Sequence, residues 1–522
     1  MDYAADWEQR SAWEEGLDVI DSLLQPGSTA VSAMTDRQRS GLARLKSMLL
    51  CGDMTNSPEN HIPLGLLSHE NEANDLLLAA FTGYHRPEDP GRSFKQIIAA
   101  HKAAKVLKSK VSTRRLQLMA SSDGTYLPPQ WLALDKAAQI KLRDLLSWEN
   151  LSRWDFDVFQ VDKATKGKNT LVLVAWAILS SPHAQYAMDL TCNEHEIKAN
   201  DSKDSPTKGL TPTVSRKGYG FIDQFGIKEE VLIEFLQAIE DRYNVTPYHD
   251  KVHASDVTQS LHSILQMGGD KFATNKEQRM ELFAVLLAAV VHDVGHPGTN
   301  NLYHIHSRSQ IAIRYNDQSC LENMHAATAF QIIMGGSPDS AIDIFASFTN
   351  DQVTAIRSLM IKVILATDMT KHFVKKNLIK GKLLSKGATA DPVTLAKDTS
   401  TRHEILGYLL HVADISNPGK PKDTSVKWTD RVLEEFFDQG DKELEQGLPV
   451  SPLCDRKTTS RAQSQIGFIS FIVLPSYELL GELIPKIDEE VVPLLKSNMT
   501  YWEEQKALEA ANTEAAPVQK GN

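Results

Sequence analysis

The stretch KEQRMELFAVLLAAVVHDVGH, residues 276–296, decides the fold. It begins charged, becomes wholly apolar from Leu282 to Val291, and ends in His292 and Asp293. The apolar run is about half of the roughly 20 residues that a membrane-spanning helix needs, so it predicts a buried helix. A carboxylate at the edge of a core is costly unless it is paired or bound to a metal. The stretch therefore predicts a helix that delivers ligands to an interior metal site.

Two further segments carry candidate ligands. YHDKVH carries His249 and His253 four residues apart, on one face of a helix. HEILGYLLHVAD is an apolar helix that ends in Asp414, before an Asn-Pro-Gly turn. Each has an ordinary alternative when taken alone: a hydrogen-bonded histidine, or an acid that caps the next element. Together with the His-Asp pair they favour two imidazoles and two carboxylates around one or two divalent ions.

Size and composition restrict the class of protein. The chain has 522 residues, of which 42% are hydrophobic and 24% charged, and this predicts an ordinary soluble protein of more than one unit. Its net charge of −11 argues against nucleic-acid binding. The four cysteines are far apart, which fits a reducing cytosol, and the acidic N-terminus lacks a signal-peptide pattern. We therefore expect a cytoplasmic protein without a transmembrane segment.

Several motifs occur in a fixed order between about residues 147 and 501: YHxxxH, HDxxHPGxxN, LENxH, ATDM, HxADxSNP, WTDRxLEEFFxQGD and SQxGF. This series resembles the catalytic domain of the class I 3′,5′-cyclic nucleotide phosphodiesterases, and it is similar to the calmodulin-stimulated and cAMP-specific members. The resemblance implies a compact all-α domain of the HD type with a dinuclear metal pocket. It also implies hydrolysis of cAMP, cGMP or both to 5′-monophosphates.

Helical periodicity and the extent of the resemblance predict the domain organisation. Residues 1–146 are expected to form a mostly helical N-terminal region, a candidate regulatory unit without a recognised module. The catalytic domain is expected over 147–506, with a polar insertion at 193–220. Residues 507–522 are expected to be a disordered tail.

The resemblance also implies roles for individual residues. The ligands of the tighter ion, usually zinc, would be His253, His292, Asp293 and Asp414. The second ion, usually magnesium, would lie against Asp293, and manganese also suits such a site. His249 matches the general acid that protonates the departing ribose O3′. Glu322 matches the acid that orients His249, and His296 with Asn301 matches the supporting shell.

The purine pocket follows from the same resemblance. Its predicted residues are Gln465, Phe468, Val432, Asn417, Met369 and Phe436. Gln465 matches the amide that hydrogen-bonds the base, and an amide that can flip suits either purine. Phe468 and Val432 match the two sides of a clamp on the base, although periodicity alone would place both in a helix core. Asn417 favours cAMP slightly.

Asp250 and the basic stretch 101–119 lie outside the shared pattern. Asp250 stands where the family often has asparagine, and its charge is expected to raise the pKa of His249. The basic stretch is a candidate contact for a calmodulin-like partner or acidic lipid, against the alternative of a solvated helix face. A peripheral membrane association and a homodimer remain compatible with the sequence. A different HD-type phosphohydrolase and a catalytically silent nucleotide-binding scaffold are the competing functions.

Overall fold

The computed structural model describes residues 127–182, 184, 188, 218–273, 275–335, 342–385 and 392–515. Contacts divide the chain between Lys102 and Ala103, and every described residue belongs to the second unit. The predicted N-terminal region as far as residue 126, the basic stretch 101–119 and nearly all of the insertion predicted at 193–220 lie outside the described residues.

The described residues form α-helices joined by turns, without a β-strand among them. The predicted all-α fold is confirmed. The first helices are α1 (Pro129–Leu132), α2 (Lys136–Leu145), α3 (Trp148–Leu151), α4 (Val158–Ala164), α5 (Thr170–Leu179), α6 (Phe221–Phe225) and α7 (Glu229–Glu240). The next are α8 (Lys251–Met267), α9 (Lys276–Val291), α10 (Asn301–His306), α11 (Gln310–Tyr315), α12 (Cys320–Met334), α13 (Asn350–Ile364) and α14 (His372–Ser385). The last are α15 (Pro392–Leu395), α16 (Thr399–Asp414), α17 (Lys422–Glu445), α18 (Arg461–Phe468), α19 (Leu474–Leu483), α20 (Lys486–Glu490) and α21 (Val492–Ala515).

Helix α8 lies at the centre of the fold. Every side chain from Val252 to Leu265 is buried, and the helix packs against α5, α9 and α16. Helix α5, with the sequence TLVLVAWAIL, is buried along its whole length. Because α9 and α16 flank α8, their C-terminal ends meet the first turn of α8. This packing brings together the ends of three helices that are far apart in sequence.

Polar caps fix where these three helices begin. Asp250 accepts hydrogen bonds from the backbone at the start of α8, and Asn275 forms a capping box with Gln278 at the start of α9. Asp398 accepts from Thr401 N at the start of α16. Since each cap satisfies orphan N–H groups, it sets the first turn of the helix. The position of each candidate ligand follows from that start: the first turn of α8 for His253, and the C-terminal ends of α9 and α16 for the other three.

A buried ion pair links α9 and α16 away from their candidate ligands. The Arg402 guanidinium donates from Nη2 to Glu281 Oε1 at 2.8 Å, and His403 Nε2 lies 3.0 Å from the same oxygen. Burial by itself would raise the pKa of Glu281, but the hydrogen bonds from Arg402 and His403 outweigh it and lower the pKa from 4.5 to about 2. The ionised carboxylate therefore stabilises the packing of the two helices.

Substituting Glu281 tests this link. Because the pKa of Glu281 is lower in the folded state, the stabilisation is present above pH 4.5 and is lost as the pH falls toward 2. We expect Glu281→Gln to reduce the free energy of unfolding by about 3 kcal/mol at neutral pH. The difference from the unsubstituted protein should narrow below pH 4.5 in denaturant titrations. The exposed Glu277→Gln on the same helix is the control and should stay within about 0.5 kcal/mol. A pH-independent difference would contradict the ionic role.

Helices α1 and α2 precede the domain boundary that the sequence predicts at 146/147, and they pack on the same core. Trp131 is fully buried, and its ring centroid lies 6.4 Å from that of Trp176. Gln130 Nε2 donates to Gln237 Oε1 at 2.7 Å. The boundary itself stays a prediction.

The C-terminal segment differs from the sequence-based expectation. Helix α21 continues to Ala515, so the disorder predicted for 507–522 is wrong as far as that residue. The extra turns consist of alanine, glutamate and leucine for the most part, which are strong helix formers. Residues 516–522 lie outside the described residues.

One helical run, Arg461–Leu483, is long and apolar enough to cross a membrane when judged by length and composition. Of its most apolar window, 44% is buried inside the described part of the chain. Core helices of soluble proteins pass the same test, so the run is weak evidence for a membrane span. It includes α18, a π-helical turn at Ile469–Val473, and α19.

Candidate active site

The ends of α8, α9 and α16 deliver the four predicted metal ligands to one point. His253 lies in the first turn of α8, His292 and Asp293 follow the last turn of α9, and Asp414 is the last residue of α16. One ligand atom from each of these residues lies within 4.8 Å of all the others. The chain turns away directly after the His-Asp pair at Gly295, whose φ of +79° is accessible to glycine at little cost.

The donor set fits a divalent cation. His253 Nε2 lies 3.1 Å from Asp414 Oδ1, and His292 Nε2 lies 3.1 Å from Asp293 Oδ2. His292 Nδ1 is 2.9 Å from Ala289 O, which makes Nδ1 the donor of the neutral ring and aims the lone pair of Nε2 at the carboxylates. His292 Nε2 is buried without a hydrogen-bond partner among the described residues. Lone pairs and carboxylate oxygens repel each other unless a cation lies between them, so the geometry fits a metal.

A second cluster adjoins the first and consists of His249, His296 and Glu435. The Glu435 carboxylate contacts His249 Nδ1 and accepts the backbone N–H of His249 at 2.9 Å and that of Tyr248 at 2.8 Å. The rings of His249 and His296 are stacked with centroids 4.0 Å apart. Glu435 therefore holds both the backbone and the ring of His249.

The pKa values of His249 and His296 are shifted in opposite directions. Burial opposes the charged form of His249, but Glu435, helped by Asp293 and Asp414, raises its pKa to about 9. Burial and the neighbouring His249 hold the pKa of His296 well below its usual range. His296 is thus neutral, and its Nδ1 accepts the backbone N–H of Gly298 at 3.0 Å. One protonated and one neutral imidazole lie side by side, and the protonated one can act as an acid.

The predicted partner of His249 is wrong. Glu322 was expected to orient this ring, but its carboxylate accepts from Asn301 Nδ2 at 3.0 and 3.1 Å instead. Burial and the negative charge of Asp368 raise the pKa of Glu322 to about 7. Glu322 lies in the first turn of α12, whereas Glu435 projects from α17. Of Glu322 and Glu435, only Glu435 contacts His249.

The predicted effect of Asp250 on His249 also needs revision. The Asp250 carboxylate accepts the backbone N–H groups of Val252 and His253, and it pairs with Arg431 at 2.6 Å. Its charge is balanced by a guanidinium and by a helix N-terminus. The pKa of His249 is raised chiefly by Glu435.

The predicted purine residues have different environments. Gln465 is 6% exposed, and its Oε1 accepts from Thr429 Oγ1 at 3.1 Å. Val432 and Phe436 on α17 and Phe468 on α18 are half-buried. These three apolar side chains are therefore partly accessible to solvent on α17 and α18.

Asn417 and Met369 are placed differently from each other. Asn417 is 6% exposed; its Nδ2 donates to Asp256 Oδ2 at 2.9 Å, and its Oδ1 accepts from the Tyr248 hydroxyl. Most of its hydrogen-bonding capacity is therefore used inside the protein. Met369, in a short 3-10 turn, is 42% exposed.

The motifs and the geometry agree with comparison to known proteins. The model of the 3′5′-cyclic nucleotide phosphodiesterase family matches residues 248–494, which include both histidine clusters and Gln465. Residues 248–494 are thus similar to the 3′,5′-cyclic nucleotide phosphodiesterase family. The resemblance read from the sequence motifs is confirmed.

Relatives with curated descriptions support the same family. A probable 3′,5′-cyclic phosphodiesterase, pde-1, of Caenorhabditis elegans is 41% identical over 278 residues, or 53% of this chain and 39% of the relative. A human dual specificity calcium/calmodulin-dependent 3′,5′-cyclic nucleotide phosphodiesterase 1C is 35% identical over 349 residues, or 66% of this chain and 41% of the relative. The chain thus matches about two fifths of the length of these phosphodiesterases.

The fold also matches a solved phosphodiesterase domain. The phosphodiesterase domain of Salpingoeca rosetta rhodopsin phosphodiesterase aligns with a TM-score of 0.56 and 28% identity. The alignment covers 73% of this chain and 98% of that domain. The phosphodiesterase family is metal-dependent, in agreement with the cluster of His253, His292, Asp293 and Asp414.

Sequence reasoning missed Glu435, although a signal for it was present. Trp428, Glu435 and Gln439 recur at helical spacing in α17, and all three are buried. An acid on the buried face of a helix must find a partner, and a histidine without an assigned partner, such as His249, is one candidate. The LENxH motif indicated Glu322 instead.

Proposed function

We propose that this protein hydrolyses 3′,5′-cyclic nucleotides to 5′-nucleoside monophosphates and so terminates cyclic nucleotide signalling. The observation that carries the proposal is the contact between Glu435 and His249 beside the four-ligand cluster. This arrangement combines a cation site with a charged acid, which cleavage of a phosphodiester requires. The family match over residues 248–494 supports the same activity.

We assign the cation site to His253, His292, Asp293 and Asp414, with zinc as the tighter ion and magnesium or manganese as the second. Mixed imidazole and carboxylate donors suit this pair of ions. Bound divalent ions would neutralise phosphoryl oxygens and supply a water that ionises near neutral pH. The residues of the chain orient the donors: Ala289 O, for example, holds the His292 ring through Nδ1.

His249 acts as the general acid. Because Nδ1 faces Glu435, the proton to be transferred is on Nε2. The raised pKa keeps His249 protonated at neutral pH, ready to protonate O3′ of the ribose as the bond to phosphorus breaks. Neutral His296 is stacked on the ring and limits its rotation. Glu322 and Asn301 form a separate polar support near Asp293.

We propose that Gln465 binds the purine edge between Phe468 and Val432, with Phe436 and Met369 at the border of the pocket. Thr429 Oγ1 donates to Gln465 Oε1, and a hydroxyl can equally accept from the amide nitrogen. Either orientation of the Gln465 amide is therefore supported, which suits both cAMP and cGMP. The slight preference for cAMP expected from Asn417 gains no support, since that amide binds Asp256 and Tyr248.

Removing the Gln465 amide should weaken substrate binding. We expect Gln465→Ala to raise KM for both nucleotides by about tenfold to a hundredfold, because a lost hydrogen bond at a buried site costs about 1–3 kcal/mol. Metal content should not change. The control is Gln463→Ala, which alters an exposed amide on the same helix. Unchanged KM values would place the base elsewhere.

The activity is tested by incubating purified full-length protein with cAMP and cGMP, side by side, in the presence of magnesium. The products are identified by chromatography before chelation, after chelation and after zinc is restored. Chelator-sensitive formation of 5′-monophosphate is expected. No turnover by folded, metal-loaded protein would favour a silent nucleotide-binding scaffold or another phosphate substrate.

We also propose calcium-dependent binding of a calmodulin-like partner through the basic stretch 101–119. The human relative carries calcium/calmodulin dependence in its description, and the stretch combines basic and apolar residues. A pull-down of the full chain with calmodulin, with and without calcium, tests the proposal. Retention that is independent of calcium would contradict it, and retention on acidic vesicles instead would favour the lipid contact.

Localisation and assembly are further parts of the proposal. A cytoplasmic protein, either free or peripherally bound to a membrane, fits the overall composition and the acidic net charge. Salt extraction of membrane fractions distinguishes the two. A homodimer is tested by light scattering of the full chain, where the mass of a single 58.1 kDa chain would exclude it.

A further inference from the structure

Helix α17 holds the segment that carries His249 at two points. Glu435 accepts the backbone N–H groups of Tyr248 and His249. Arg431 is one helical turn earlier, and its Nε donates to Pro247 O. Residues four apart share one face of a helix, so both side chains reach the same segment, 247–250. One turn of α17 thus binds a backbone acceptor and two backbone donors of three consecutive residues.

Asp250 binds both Arg431 and the start of α8. Arg431 Nη2 donates to Asp250 Oδ2 at 2.6 Å, and Asp250 Oδ1 accepts Val252 N at 2.8 Å and His253 N at 3.1 Å. The acid therefore joins α17 to the first turn of α8, where His253 lies. Its two oxygens have separate tasks: one caps α8 and the other pairs with Arg431.

The position of Arg431 is fixed further by aromatic rings. Its guanidinium carbon lies 5.4 Å from the ring centroid of Trp428 and 5.7 Å from that of Phe159. The Arg431 and Asp250 side chains are only 28% and 13% exposed. A planar guanidinium that binds a carbonyl and a carboxylate at once is a more rigid link than an exposed ion pair.

We propose that Arg431 and Asp250 are positioning residues for His249, which hold the 247–250 segment on α17 so that the ring is aimed at the leaving oxygen. The inference rests on the proposed function, in which His249 is the general acid. Neither residue touches the reacting atoms. Both act through the backbone of the segment, while Glu435 acts on the ring itself.

Two conservative variants isolate the link. In Asp250→Asn the side chain keeps an oxygen that can cap α8 but loses the charge that pairs with Arg431. In Arg431→Lys the positive charge remains, but the fork that binds Pro247 O and Asp250 together is lost. The control is Asp430→Asn. Asp430 precedes Arg431 on α17, and its substitution removes an exposed ion pair with Arg461.

The decisive readout compares two leaving groups. One substrate is cAMP, and the other is its analogue with sulfur in place of the bridging O3′, whose thiolate leaves without protonation. Both variants should lower kcat for cAMP by about tenfold to a hundredfold, because a displacement of about 1 Å can cost about 10²-fold. Hydrolysis of the sulfur analogue, KM and metal content should stay close to those of the unsubstituted protein. The double variant should lose little more than either single one, since the pair acts as a unit.

Equal losses on both substrates, or loss of metal from the variants, would overturn the positioning role and indicate a structural one. Unchanged kcat in both variants would also overturn it. Failure of the unsubstituted protein to hydrolyse cAMP or cGMP would instead overturn the proposed function, and this inference with it. A fall in kcat with Asp430→Asn equal to that of the two variants would contradict the assignment to this particular pair.

Discussion

Replacing Asp414 by alanine is expected to remove bound metal and to lower the hydrolysis of both cyclic nucleotides by more than about 10²-fold. Changes to groups that only support metal ligands already cost about 10–100-fold. Asp414 Oδ1 lies 3.1 Å from His253 Nε2 and 3.3 Å from His292 Nε2, so its loss leaves the two buried imidazoles with one shared carboxylate, that of Asp293, instead of two. Elemental analysis of purified protein and turnover assays measure the two effects.

The exposed Asp423→Ala, at the start of α17, is the matched control and should change neither metal content nor turnover. Full metal content in Asp414→Ala would show that the ion is held by another set of donors. Normal turnover and normal metal content in Asp414→Ala would show that Asp414 has no part in metal binding or catalysis.

The second large effect is expected from His249→Ala, which should spare metal and lower kcat by about 10²–10⁴-fold, the range of a general acid. The sulfur analogue of cAMP should be hydrolysed by this variant nearly as well as by the unsubstituted protein. Equal metal loss in His249→Ala and Asp414→Ala would contradict the division of roles between the two clusters.

The pH dependence gives an independent check of His249. Activity needs its protonated form, so the rate should fall as the pH rises through the pKa. This fall should lie at or below about pH 9, because bound cations would oppose the effect of Glu435 on the ring. Glu435→Gln removes the main group that raises this pKa, and the fall should therefore move to lower pH. If the fall in rate occurs at the same pH in Glu435→Gln, a group other than His249 causes it.

Three of the four candidate ligands, His292, Asp293 and Asp414, could be predicted from sequence because each stands at the end of an apolar helix. His253 lies in a segment of mixed polarity and is favoured only together with them. His292 and Asp293 follow a run that is buried from Leu282 to Val291. Polar groups in such positions have few outcomes other than pairing or ligation. The fold class followed from the same periodicity, since the helical period is visible without knowledge of tertiary contacts.

Pairings across the fold could not be predicted in the same way. His249 and Glu435 are 186 positions apart, and their contact depends on how α17 crosses the start of α8. The burial of Asn417 against Asp256, and the pairing of Asp250 with Arg431, also depend on that packing. A motif assigns a residue type to a segment, whereas a hydrogen bond requires the relative orientation of two helices.

The distance along the chain between His253 and Asp414 has a consequence for stability. The two ligands are 161 positions apart, and an ion bound to both would close a loop of that length. In the chain-entropy treatment, a cross-link that closes a loop of this size restricts the unfolded chain by about 5 kcal/mol. In a chain with four scattered cysteines, the ion would replace the covalent staple of a secreted protein. Unlike a disulfide, a bound ion can dissociate, so the free energy of unfolding would increase and decrease with the concentration of free metal.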